Sequence, residues 1–372
     1  MLCAGAWATA TAQLTTTTAA DARAQEQPPR VAPPPAPGFT HWEQRGIALG
    51  LFAEEPDYYY GPLVTELAAT GASHVSIVVP YYQHDWHSIS IEPHPRFTPS
   101  EASIARTIAQ AHHAGLAVLL FPILRLSYAA TIDEWRGTLA PRDPQRWWQS
   151  YTRLMLGLAR LAADQRVAGL AIGSELHSLD QDARPWLPLI AALRRVYRGQ
   201  LVYSANWFGY DRVALWQLVD VMGISAYFSL VGRHEPRPSL ERLVHGWREQ
   251  RVQIERWWAR LRKPLIFTEL GYHSARGCAA EPWQEGVEGP ADLAAQTSAF
   301  AAFGRAWRDA TFLRGIYVWN WFGWGGPHSR EYTPRGKPAA ELICRWFRAA
   351  PQRCPRGYGL PQLGSAGAAP SR

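Results

Sequence analysis

Two glutamates stand where chemistry can be done. Glu175 closes the run AGLAIGSEL and Glu269 closes the run PLIFTELGY, each at the end of a strongly apolar stretch. Neither run carries an adjacent basic residue, so a carboxylate there is costly unless it has partners or a task. Taken singly, each acid is equally readable as a helix cap or as the partner of an arginine. Taken together, two carboxylates facing one another across a mouth suit the hydrolysis of a glycosidic bond. One protonates the leaving oxygen while the other attacks the anomeric carbon or activates a water. They must then hold different protonation states at one pH, which burial and neighbours can arrange. Spacing in sequence gives no distance between them, so retention versus inversion stays open.

The surroundings agree with a sugar ligand. Four apolar runs lead into aromatic segments: PYYQHDWH with Tyr81, Tyr82, His84, Asp85 and Trp86; SANWFGY with Asn206 and Trp207; ISAYF with Tyr227 and Phe228; and GIYVWNWFGWGG with Trp319, Asn320, Trp321 and Trp324. Aromatic rings stack on the C–H faces of pyranoses, and Asn, His and Tyr groups bind hydroxyls. Any one of these aromatics is as readable as core, but their recurrence at four run ends favours a binding cleft. Tyr81, Trp86, Asn206, Trp207, Tyr227, Trp319 and Trp321 are the expected sugar contacts.

Histidines near acids raise a metal-hydrolase alternative: His84, Asp85 and His87 in one segment, His177 just past Glu175, and His273 just past Glu269. Barrel metal sites draw ligands from several strand ends, usually beginning with a histidine pair on the first. That strand has none, the His112-His113 pair falls in a helical stretch, and no zinc-type spacing occurs. No metal and no cofactor is expected, and His177 and His273 read as rim partners of the glutamates.

The elements that must position these groups alternate regularly. Short apolar, β-branched runs at 46–52, 74–80, 116–121, 168–173, 201–204, 219–225, 264–268 and 315–319 have the continuous apolar character of strands buried on both faces. Helical spacing separates them at 99–114, 146–163, 186–197, 240–261, 291–307 and 339–347, with Thr98 the expected N-cap of the first. The helices after the first and fifth strands, about 60–70 and 211–218, are less distinct. Eight such units predict a single (β/α)8 TIM barrel of the α/β class. A doubly wound open sheet would share the alternation but usually carries a glycine fingerprint after its first strand, where this chain has AEEPDYYYG. In a barrel, chemistry sits at the carboxyl ends of strands, which is where both glutamates fall.

Composition bounds the rest. The 372 residues are 47% hydrophobic and 19% charged, which excludes disorder, and 18 tryptophans supply the aromatic surplus. No uninterrupted apolar run is long enough to span a membrane. The net charge is +7, with only two lysines, Lys263 and Lys337, among the 38 basic residues. The arginines are dispersed rather than gathered into a stripe, so no nucleic-acid partner is expected. Four cysteines (Cys3, Cys278, Cys344, Cys354) lack metal spacing, and whether Cys344 and Cys354 pair stays open.

Residues 1–38 read as a signal-like leader followed by a proline-rich tether. Ala22-Arg23-Ala24 matches the small-x-small form of an export cleavage site, although a basic n-region is missing. Export to a secreted, periplasmic or cell-surface location is the expectation, with the barrel at 39–350, a C-terminal tail at 351–372, and a monomeric state.

The IGSEL and FTELGY motifs, the WRG at 135–137, the aromatic eighth run and the following YTPRGKPA together resemble a clan A retaining glycoside hydrolase, most closely glycoside hydrolase family 113, the endo-β-1,4-mannanases. The resemblance spans about residues 44–348. It implies Glu175 as acid/base, Glu269 as nucleophile, Tyr227 as a hydrogen-bond donor to the nucleophile, and Trp319 as the sugar platform. It differs at Ser174, where many clan A enzymes have an asparagine that binds the sugar 2-hydroxyl. A shorter hydroxyl side chain would suit the axial 2-hydroxyl of mannose or point to another sugar. Other clan A activities, on galactan, glucan or amino sugar polymers, and a silent carbohydrate-binding barrel are the alternatives.

Overall fold

The computed structural model describes residues 42–284 and 289–348. The expected leader, tether and C-terminal tail, with Cys3 and Cys354, lie outside the described residues. Cys344 is disulfide-bonded, and Cys278 is a buried free thiol.

Eight strands close into a barrel in chain order, every neighbouring pair parallel. They are β1 (Gln44–Gly50), β2 (His74–Gln83), β3 (Ala117–Leu126), β4 (Gly169–Ser174), β5 (Gln200–Asn206), β6 (Val221–Ser225), β7 (Leu265–Leu270) and β8 (Leu313–Val318). The helices around them are α1 (Gly61–Ala69), α2 (Glu101–His113), α3 (Pro144–Asp164), α4 (Trp186–Val196), α5 (Leu240–Leu261), α6 (Leu293–Trp307) and α7 (Pro338–Phe347). Strand alternation divides the core in two. Residues such as Ala48, Val78, Phe121, Val202, Ile266 and Tyr317 fill the barrel interior. Ile47, Leu49, Val75, Ile77 and Val79 face the helices, where Trp147, Trp186, Trp247 and Trp307 are wholly buried. Much of the tryptophan surplus is therefore packing between sheet and helices.

Two local expectations change. Residues 211–218 form turns, not a helix, yet Val213, Leu215 and Trp216 are buried there, so this short segment still covers its sector of the barrel. The N-cap of α2 is Ser100, whose side chain accepts from the Ser103 amide. Thr98 instead donates its hydroxyl to the Pro80 carbonyl at 2.8 Å, tying this loop to β2.

Candidate active site

The barrel brings Glu175 and Glu269 to one mouth, and each follows an extra residue in its strand. Between β4 and β5 the register advances from Ala171↔Val202 to Ser174↔Ser204, which leaves one extra residue in β4 just before Glu175. Between β6 and β7 it advances from Ile224↔Phe267 to Ser225↔Glu269, again with one extra residue, in β7. The same excess recurs against β8. An extra residue reverses the alternation. Without it, Glu269 would share the helix-facing side of Leu265 and Phe267; with it, the carboxylate reaches groups at the mouth. Glu175 adds a left-handed backbone, φ 54°, which costs a non-glycine residue about 1–2 kcal/mol. Its amide, donating to the Ser204 carbonyl at 2.7 Å, helps to hold that conformation.

Both carboxylates are buried, at 4% and 3% exposure, so each depends on partners inside the protein. Glu175 accepts from Asn206 Nδ2 at 3.0 Å and is ion-paired to Arg136. Arg136 comes from a single 3-10 turn (Arg136–Thr138) in the loop after β3, with its guanidinium 5.8 Å from the centre of the Trp135 ring. Glu269 accepts from the Tyr227 hydroxyl at 2.8 Å and from Ser225. Beneath it a closed line of hydroxyls runs from Ser225 to Ser204 at 3.1 Å and on to Thr268 at 2.5 Å. The other Glu269 oxygen, Oε1, is buried without a hydrogen-bond partner among the described residues.

Electrostatics couple the two acids. Burial first, then the negative charge of Glu175, pushes the Glu269 carboxyl up to about 8; Arg136 and the hydrogen bonds from Tyr227 and Ser225 oppose that rise. Burial and the charges of Glu269 and Glu175 hold the Tyr227 phenol protonated, so it remains a donor.

The expected sugar contacts divide. Asn206 and Tyr227 touch the carboxylates directly. Trp319 is partly exposed, packs on the interior cluster and lies 6.2 Å from the Phe52 ring, so it borders the mouth. Its peptide bond to Asn320 is cis. Trp207 is also partly exposed, with its ring 6.0 Å from Tyr227 and stacked on Trp283 at 4.9 Å. Trp86 packs beside His87, 3.6 Å between ring centres, on the loop after β2.

Two of the expected contacts lie away from the mouth. Tyr81 lies on the helix-facing side of β2 with Val75, Ile77 and Val79, because β2 continues to Gln83 and its alternation persists past Pro80. Trp321 is fully buried outside the barrel interior, its Nε1 donating to Glu66 at 3.2 Å.

His177 packs edge-on against Phe208. His273 is buried, its pKa lowered to about 4 by desolvation, and its ring lies 4.4 Å from that of Tyr332, which in turn is 6.0 Å from Tyr227. Ser174 is buried with its hydroxyl unpartnered among the described residues, and the side chain that reaches Glu175 is Asn206 from the next strand. Among the described residues no group of three or more His, Cys, Asp or Glu side chains is placed to hold a metal, and no helix is long and apolar enough to cross a membrane.

Sequence reasoning missed Arg136, Ser225 and Trp283. Arg136 lies within the WRG motif, which was the one available signal; dispersed arginines and single serines give none.

The sequence profile described as Glycoside Hydrolase Family 113 matches residues 61–327. Among solved structures, the chain is similar to the GH113 β-mannanase AaManA from Alicyclobacillus acidocaldarius, solved in complex with ManMIm. The two are 24% identical with a TM-score of 0.73, over 83% of this chain and 98% of that one. A GH113 β-1,4-mannanase is 20% identical with a TM-score of 0.74, over 82% and 99% of the two chains. A β-D-glucuronidase from Dictyoglomus thermophilum is 15% identical with a TM-score of 0.58, covering 82% of this chain and 50% of that one. A comparison with curated protein sequences finds no match.

Proposed function

The chain belongs to glycoside hydrolase family 113 and is an O-glycosyl hydrolase, and from that premise we propose that it cleaves β-mannan with retention of configuration, Glu175 acting as acid/base and Glu269 as nucleophile. The observation that carries this reading is the pair itself: two buried carboxylates at the ends of β4 and β7, each with its own hydrogen-bond partners. The likeness to mannanases supports mannan as the polymer.

In the first step a Glu269 oxygen attacks the anomeric carbon, the glycosidic C–O bond breaks, and Glu175 gives its proton to the departing oxygen. A glycosyl ester on Glu269 results. In the second step Glu175 takes a proton from water, whose oxygen attacks the same carbon and expels Glu269 as carboxylate. The Glu269 oxygen without a protein hydrogen bond is the one suited to attack, since its lone pairs are not engaged. Tyr227 holds the other oxygen and stabilises the charge that returns to the carboxylate when the ester breaks. Asn206 orients Glu175. Trp319 serves as the platform for the sugar being cleaved, and the stacked Trp207 and Trp283 as a further wall. The enzyme works as a monomer after export, with residues 1–38 as leader and tether; N-terminal sequencing and sizing of secreted protein test that part.

Wild type, Glu175→Ala and Glu269→Ala are to be incubated with an aryl β-mannoside and a polysaccharide panel, the variants also with azide. Azide is expected to rescue Glu269→Ala as the inverted glycosyl azide and Glu175→Ala as the retained one. Undiminished hydrolysis by Glu269→Ala would remove it as nucleophile. Faster turnover of galactan or glucan than of mannan would overturn the substrate assignment alone.

A further inference from the structure

Two guanidiniums stand on the β3 side of the mouth, and only one is neutralised. Arg136 is matched by Glu175. Arg125 is not matched. Leu119, Phe121 and Ile123 of β3 belong to the barrel interior, and alternation places Arg125 on the same face, near the carboxyl end of the strand. The pairing of β3 with β4 stops at Leu120, whereas its pairing with β2 continues to Leu126, so Arg125 sits on a stretch of wall that rises above the packed interior.

Its contacts are few. The Arg125 guanidinium lies 5.1 Å from the centre of the Phe52 ring and donates a hydrogen bond to the Tyr82 hydroxyl. Phe52 in turn packs on Trp319. A cation, a phenyl ring and the proposed sugar platform therefore follow one another along one side of the cleft. Among the described residues no carboxylate forms an ion pair with Arg125. On the adjoining loops, Glu54 pairs with Arg96 and Asp85 with Arg142.

A guanidinium offers five N–H donors in a rigid fork. Tyr82 occupies part of that capacity, and the face over Phe52 is satisfied by the π-system. The remaining donors fit best a planar anion that binds two of them at once. A half-buried cation without a counter-ion also gains more from an anion than from a neutral hydroxyl, since only the anion offsets its desolvation.

We infer that Arg125 binds the carboxylate of an acidic sugar residue lodged beside Trp319, so that the preferred substrate is a β-linked polysaccharide bearing uronic acid units. This rests on the cleft being the glycan cleft and narrows its substrate class; a neutral mannan would be accepted with lower efficiency.

The test pairs β-1,4-mannohexaose with the same oligosaccharide carrying carboxylates at C6, at low salt and at about 0.5 M NaCl, where charge attraction at an accessible site is screened. Wild type is expected to favour the carboxylated oligosaccharide by about tenfold or more in kcat/KM, as one charge-assisted pair implies, and high salt should reduce the advantage. Arg125→Gln should collapse the ratio towards one, and Arg125→Lys, which keeps the charge and loses the fork, should retain part of it. Equal losses on both oligosaccharides in Arg125→Gln would reduce Arg125 to a hydroxyl contact and overturn the inference, as would absence of preference in wild type.

Binding to Glu269→Gln, measured calorimetrically, separates this from the functional reading. Carboxylate-dependent binding that is lost on further substituting Arg125 would uphold the anion site even if wild type hydrolysed neither compound. Equal affinity for both compounds would overturn the site even if mannan hydrolysis were rapid.

Discussion

Glu175 and Glu269 stand at the same mouth, each just past an extra residue in its strand, yet they are received differently. Glu175 meets a cation and an amide, Arg136 and Asn206. Glu269 meets hydroxyls only, Tyr227 and Ser225, and its pKa is raised by burial and by its negative neighbour. Like charges this strongly coupled titrate as a pair. Arg136 therefore marks the Glu175 side of the pair, and the raised pKa marks Glu269. The proposed reaction requires one proton on the pair, delivered to the leaving group through Glu175.

The comparison breaks most visibly if the two acids prove interchangeable. With a series of aryl β-mannosides, Glu269→Gln should lose activity by on the order of four decades or more whatever the leaving group, since no covalent intermediate can form. Glu175→Gln should lose about 10²–10⁴-fold with poor leaving groups, the usual worth of a general acid. Its loss should shrink steeply as the phenol becomes more acidic and needs no proton. If leaving-group dependence followed Glu269 instead, the assignments would be reversed.

The barrel was legible because its signal is repeated. All eight apolar runs became strands, and the six distinct helical stretches became helices within a few residues. The failures come from what a strand reading cannot see. Tyr81 was placed at the rim because β2 was expected to end at Pro80, whereas it runs to Gln83; counting by twos from Val75 would have put Tyr81 among the helices. Trp321 lies past β8, where the chain turns outward to Glu66, and composition gives no sign of that turn. The two glutamates were legible as charges ending apolar strands. Of their partners, Asn206 and Tyr227 stand among the expected contacts, whereas Arg136 and Ser225 come from other strands and loops with no such signal, and only folding brings them near. Nor do the extra residues in β4 and β7 show in the sequence, because register is a property of strand pairs.

A smaller effect separates the partners by pH. The alkaline limb of kcat/KM reports loss of the last proton from the pair in the free enzyme, expected near 8 in wild type. Arg136 and Tyr227 both hold the Glu269 pKa down. Tyr227→Phe and Arg136→Gln should therefore both move the alkaline limb upward, by roughly half a unit to one unit, with rates reduced roughly tenfold. Asn206→Ala, whose contact is with Glu175, should lower the rate with a smaller movement of that limb. A downward shift in either of the first two variants would contradict the placement of these groups around Glu269.

The smallest effect is on stability, and here the difference between the two acids sets the sign. Glu269 has a folded pKa raised from 4.5 to about 8. Between those values the folded chain keeps a proton that the unfolded chain has released, so this group's contribution to stability falls as pH rises from about 4.5 to 8 and is level above that. Glutamine has the same shape and no proton to lose. Glu269→Gln should therefore show a shallower decline of Tm across this window and be a few degrees more stable than wild type at pH 9. Glu175→Gln should show no such gain, because it leaves the Arg136 guanidinium without the carboxylate that now receives it. Thermal unfolding of both variants from pH 5 to 9 decides the matter. Equal gains would mean that Arg136 does not distinguish the two acids in the folded state.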